Sequence, residues 1–90
     1  MIFDHDPKKS AANKVKHGID FEEARQVWLD TDVVILASAY SAESRFLAIG
    51  HIRERIWTVI FAIRGETTRI ISARRSRESE VAYYEKNKGN

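Results

Sequence analysis

The 90-residue sequence has no cysteine. This excludes a disulfide framework, a thiolate metal site and a cysteine nucleophile. Its histidines, His5, His17 and His51, lack the spacing of a metal-ligand set, so neither a metal nor another cofactor is expected. One proline and four glycines are too few to build a linker, and no repeat or low-complexity segment is present. No apolar run approaches the ~18 residues needed to cross a membrane, and Met1-Ile2-Phe3-Asp4 lacks the basic-then-apolar pattern of a secretion signal. The expectation is a single cytoplasmic domain over residues 1–90 with no membrane partner. At 43% hydrophobic and 31% charged residues, the composition is that of an ordinary globule.

Acids are also scarce in one place. Residues 45–77 hold eight of the nine arginines (Arg45, Arg53, Arg55, Arg64, Arg69, Arg74, Arg75, Arg77) but only two acids, Glu54 and Glu66. That stretch carries 8 − 2 = +6, against +2 for the whole chain. The guanidinium is a planar, permanently charged fork that matches phosphate, so an arginine field in a strand-rich segment points to a polyanion, most plausibly RNA. An ordinary solvated basic face explains the charge equally well.

The patterning gives β, two helices, four strands and a helix. Ile2–His5 reads as a short strand. Asp6-Pro7 then starts a helix, with aspartate as cap and proline at the first position. That helix runs through Ala11, Ala12 and Val15, turns Lys8, Lys9, Lys14 and Lys16 to solvent, and stops at Gly18. Asp20 and Glu23 have capping-box spacing for a second helix that buries Phe21, Ala24, Val27 and Trp28. Val33–Ser38 and Arg45–Arg53 read as strands, joined by a polar connection at Tyr40–Ser44. A tight turn at Glu54-Arg55 leads into Ile56–Ile63, apolar enough for a central strand covered on both faces. Gly65-Glu66 turns the chain into a last strand, Thr67–Arg75, and Ser76 caps a closing helix through Tyr84. The expected fold is α+β, with the helices on one face of a mainly antiparallel sheet.

Three stretches stand together: Phe3-Asp4-His5-Asp6-Pro7…Lys9…Asn13…Lys16-His17-Gly18, Glu43-Ser44-Arg45…Gly50, and Arg69-Ile70-Ile71-Ser72-Ala73-Arg74…Glu80…Tyr84. With these the chain resembles the BrnT family, the toxin half of bacterial type II toxin–antitoxin pairs, over nearly its whole length. The resemblance implies a RelE-like fold: a curved sheet of four to five strands with two N-terminal helices and one C-terminal helix. It implies metal-independent RNA cleavage and inhibition of translation. It also implies neutralisation by a BrnA-type antitoxin whose ribbon-helix-helix domain carries the complex to operator DNA. The chain departs from the family pattern at His5, where tryptophan is usual, and at Ala42, where glycine commonly precedes the Glu-x-Arg pair. Its closing helix is also less basic.

Metal-free RNA cleavage needs a base for the 2′-OH, cations for the pentacoordinate phosphate and an acid for the departing 5′-oxygen. Glu43 and His17 are the candidate bases, and Arg45, Arg69 and Arg74 the candidate phosphate contacts. Lys9, Lys16 or His51 would orient the backbone or deliver a proton, with Arg75 and Tyr84 as further RNA contacts. Alternation puts Arg69 and Arg74 on opposite faces of their strand unless a bulge flips the register or Arg74 lies beyond the strand end. Arg45 and His51 share a face but lie about 20 Å apart. The favoured grouping is therefore Arg45 with Arg74 and His17.

Each of these residues also has a plain structural reading. His17 is equally a helix-end residue interacting with the last carbonyls. Glu43 and Arg45 make an ordinary surface ion pair. One of Tyr83 and Tyr84 packs the closing helix, Asn13–His17 is a solvated helix face, and Trp28 and Trp57 are core residues. A non-catalytic module that binds RNA or an antitoxin is the second functional reading. Direct DNA recognition is the weakest, because no helix here combines a basic face with a helix-turn-helix arrangement.

Overall fold

The computed structural model describes residues 1–38 and 44–89, so the candidate base Glu43 lies outside the described residues. Asp6 takes the amide of Lys8 at 2.8 Å and Pro7 fills the first position of helix α1 (Pro7–His17). Gly18 closes this helix in the left-handed region, φ 92°, where a Cβ would be strained. The capping box at Asp20 and Glu23 forms as expected. The helix it starts, α2 (Phe21–Ala24), is only one turn and continues as a 3₁₀ segment over Arg25–Leu29.

The strands are β1 (Ile2–Asp4), β2 (Val34–Ala37), β3 (Arg45–Ile52), β4 (Arg55–Arg64) and β5 (Thr67–Arg75), in the spatial order β1-β5-β4-β3-β2. All neighbours are antiparallel except β1 and β5. Continuous apolarity put β4 at the centre, and there it lies. The β3–β4 turn falls on Arg53-Glu54, one residue earlier than expected, because Ile52 pairs with Arg55. Arg53 takes φ 57°, a left-handed conformation costly for a side chain with a Cβ.

One face of the sheet carries the core. Ala48, Ile52, Trp57, Val59, Phe61, Ile70 and Ala73 pack there against Ile19, Phe21, Ala24 and Val27. Trp28 is half-buried and meets Phe3 and Phe61 edge-on at 4.9 and 5.1 Å. Helix α1 attaches by polar residues. Ala11, Ala12 and Val15 are exposed, and Ser10 and Asn13 are buried.

The reason lies at the sheet edge. Strand β1 covers β5 only over Thr67–Arg69, so on that side the backbone of Ala73 has no strand to bond. Asn13 takes that place, donating from Nδ2 to the Ala73 carbonyl at 2.9 Å and accepting the Ala73 amide on Oδ1 at 3.2 Å. The same Nδ2 donates to the Ile19 carbonyl at 2.8 Å, and the Phe21 amide donates to Ser10 Oγ at 2.9 Å.

The expected one-face packing is corrected by helix α3 (Glu78–Asn87), which lies on the opposite face. Thr58 sits between the core residues Trp57 and Val59 and so points away from the core, and its hydroxyl donates to Glu80 Oε1 at 3.1 Å. Ser76 does not cap this helix. Its Oγ lies 2.8 Å from Thr58 Oγ1, while Arg77 occupies the cap position and donates its amide to Glu80 Oε1 at 2.8 Å.

Candidate functional site

Strand pairing sorts the basic residues onto two faces. Ser72 pairs with Ile60 and Ile70 with Phe61, so Ile71 is an extra, unpaired residue in β5. This is the bulge that a shared face for Arg69 and Arg74 requires. Both now point away from the core, opposite Ala62 and Thr58, about 13 Å apart along the strand. Arg45 joins that face as the other neighbour of Ala62.

Two of the three arginines are engaged. Arg69 forms an ion pair with Asp4, its partner on β1. Arg74 makes a bidentate pair with Glu80 (2.6 and 2.8 Å), a geometry in which guanidinium and carboxylate match. Burial works to raise the Glu80 carboxyl, but Arg74, the Arg77 amide and Thr58 outweigh it and hold it below the usual range. The hydrogen bonds that Arg74 donates to Glu80, with the charge of that carboxylate, push the guanidinium further up. Arg45 differs: its Nε is buried with no hydrogen-bond partner among the described residues.

At the far end of this face, Tyr84 is 2% exposed and donates to Asp30 Oδ2 at 2.7 Å. His51 donates its amide to the same oxygen at 2.7 Å, and its Nδ1 lies 3.1 Å from the Tyr84 hydroxyl. Burial and the Asp30 charge push the Tyr84 phenol well up. Burial alone would raise Asp30, but the bonds from His51, Tyr84 and Asp32 hold it low. Tyr84 is thus the tyrosine that packs the closing helix, and it offers no free ring to a base. Tyr83 is 42% exposed.

His17 lies on the other side of the sheet. It ends α1 and lines a pocket of about 480 Å³ together with Arg53, Glu54, Arg55, Trp57 and Arg75. Arg75 pairs with Trp57 across the strands and holds its guanidinium 6.0 Å from the indole centroid. Arg74 and Arg75 are neighbours in sequence and belong to different sites. The favoured trio of Arg45, Arg74 and His17 is therefore divided: Arg45 and Arg74 share one face and His17 sits behind the other.

Arg53, Arg55 and Arg75 form no ion pair with a carboxylate of the described residues. Lys16 is exposed beside His17, and Lys9 is exposed about 12 Å away along α1. Sequence reasoning missed Arg53, Glu54 and Arg55 as a group. The available signal was a β-turn with charged residues and no Asn-Gly, the kind of local misfit that function explains. Among the described residues, no three His, Asp or Glu side chains are placed to hold a metal ion, and no helix is long and apolar enough to cross a membrane.

An imidazole, a carboxylate and three unpaired guanidiniums in one concave site define a class: proteins equipped to hold a phosphodiester and move protons around it. The family model described as "Ribonuclease toxin, BrnT, of type II toxin-antitoxin system" matches residues 5–80, and the chain belongs to this family. It is thereby a ribonuclease toxin, with RNA as its target and an antitoxin as its partner. A search of curated proteins finds no match.

Proposed function

We propose that the pocket lined by His17 and Glu54 is where this toxin cuts RNA, and that no metal ion takes part. The observation that carries this reading is the meeting of both proton-transfer groups with Arg53, Arg55 and Arg75 in one pocket. Glu54 takes the proton of a 2′-hydroxyl as its oxygen bonds to phosphorus. His17 protonates the 5′-oxygen as the phosphorus–oxygen bond to it breaks. The products are a 2′,3′-cyclic phosphate and a free 5′-hydroxyl. The three guanidiniums meet the charge that builds on the phosphorane, and Arg75 is held in place by Trp57.

Preorganised donors of this kind are each worth roughly 3 kcal/mol on the barrier, about a hundredfold in rate. Arg69 and Arg74 suit the role less well, because each is already neutralised by its own carboxylate. The proposal extends to cytoplasmic action against translation. It extends also to a BrnA-type antitoxin whose ribbon-helix-helix domain contacts operator DNA.

The test is cleavage of a defined RNA in excess chelator. Wild-type protein should yield cyclic-phosphate ends, and folded His17→Gln and Glu54→Gln variants should each lose about a hundredfold or more. Wild-type rates in both variants would remove the pocket from the chemistry. Loss of all cleavage on chelation would remove the metal-free mechanism.

A further inference from the structure

The face opposite the pocket is half covered. Helix α3 lies over the row Arg74, Thr58 and Ile49, and Thr58 and Ile49 are fully buried beneath it. The next row across the sheet is Leu36, Leu47 and Ile60, one residue from each of three neighbouring strands. All three are only half-buried, and among the described residues no helix packs there as α1 and α2 do on the other face. One row further lie Arg45, Ala62 and Arg69. Ala62 is 2% exposed between the two arginines, and the Nε of Arg45 is buried without an acceptor among the described residues. A buried donor left unpaired is costly until something supplies an acceptor.

We propose that this strip beside α3 is the docking surface for an amphipathic helix of the antitoxin. Its apolar stripe would lie on Leu36, Leu47 and Ile60, and a carboxylate on its flank would accept from Arg45. The chemistry selects this occupant over the alternatives. Among the described residues, an RNA strand would find no aromatic ring on this floor to stack upon. A second copy of the chain would bring arginine row against arginine row. A helix with acids beside an apolar stripe satisfies both the leucines and the orphan donor. The proposal rests on the family reading that an antitoxin partner exists. It adds where that partner sits: on the face turned away from His17 and Glu54, so that binding and cleavage are separable by mutation.

The experiment uses the toxin chain and its cognate antitoxin. Binding is measured by titration calorimetry, and RNA cleavage is measured on the same preparations. Leu47→Lys should weaken binding at least tenfold while cutting RNA as wild type does, and Arg45→Ala should weaken binding by a similar factor. His17→Gln should bind as wild type does. On the unmodified complex, hydroxyl-radical footprinting should show Leu36, Leu47 and Ile60 protected. This measurement decides the matter even if a variant fails to fold. Unchanged affinity in both strip variants, or protection of these residues by RNA instead of antitoxin, would overturn the docking site and leave the family reading standing. Failure of the wild-type toxin to bind the antitoxin at all would overturn the partner reading itself.

Discussion

Arg53 illustrates how one residue can serve function at a cost to stability. Its φ of 57° is the only positive value at a non-glycine among the described residues, and it sits on the rim of the proposed cleavage pocket. A left-handed conformation costs a residue with a Cβ roughly 1–2 kcal/mol, part of which glycine returns in unfolded-state entropy. Arg53→Gly should therefore raise stability by about 0.5–1 kcal/mol in urea unfolding while slowing RNA cleavage. Faster or equal cleavage would show that this guanidinium does not touch the phosphate. Asn13 shows the reverse case of a polar residue serving structure alone. Its amide replaces a missing strand at Ala73, so Asn13→Ala leaves an amide and two carbonyls without partners. A loss of about 2–4 kcal/mol is expected, read as a lower urea midpoint at constant slope.

At the scale of elements, ionic and phenolic contacts tie α3 to the sheet. Glu80 binds Arg74 and Thr58, and Tyr84 binds Asp30 beside His51. Glu80 and Asp30 ionise at lower pH in the folded protein than in the unfolded chain. Their contribution is complete above the ordinary carboxylate range and disappears as pH falls through their lowered values. Tyr84 is shifted up, so its contribution is complete below the ordinary phenol value of about 10 and is lost as pH climbs toward the raised one. Stability should thus plateau from mildly acidic to mildly alkaline pH. Hydrogen exchange of α3 amides should accelerate at acid pH before those of β4 do. Simultaneous exchange in both elements would show that α3 is not a separate unit.

Gly50 tests the same junction from β3. A Cβ there would come within 3.1 Å of both Asp30 Oδ2 and Val27 Cγ2. Asp30 is fixed by the Tyr84 hydroxyl and the His51 amide, and Val27 is fully buried, so neither can give way. Gly50→Ala should cost about 1–3 kcal/mol. A melting temperature equal to wild type would mean that the junction is looser than these contacts imply.

For the molecule as a whole, the sheet keeps two charged surfaces apart. Proposed cleavage lies behind one face and proposed antitoxin docking on the other. RNA affinity should fall steeply with salt, with a slope reduced by about one unit in folded Arg75→Ala, and should be almost unaffected by Leu47→Lys. A slope unchanged in Arg75→Ala would mean that the pocket arginines do not neutralise phosphates.

Local chemistry alone determined much of this protein. Asp6-Pro7, Gly18 and the Asp20–Glu23 box fixed helix ends, because capping needs only residues a few positions apart. The unbroken apolar run of β4 fixed its central place, and the combination of Lys16-His17-Gly18 with the Arg69–Arg74 stretch was enough to name the family. Alternation put Arg45, Leu47, Ile49 and His51 on one face, where strand pairing has them, but it failed across the bulge in β5, since an extra residue at Ile71 is not written in hydrophobic period.

Which arginine faces which partner was decided only in three dimensions. Arg74 is matched to Glu80 by a helix docking on the face where none was expected. Arg75, its neighbour, lines one pocket with His17 from 58 positions away because strand side chains alternate across a sheet. Charge reaches through space and not along the chain, so a list of basic residues cannot say which are already paired and which remain for a phosphate.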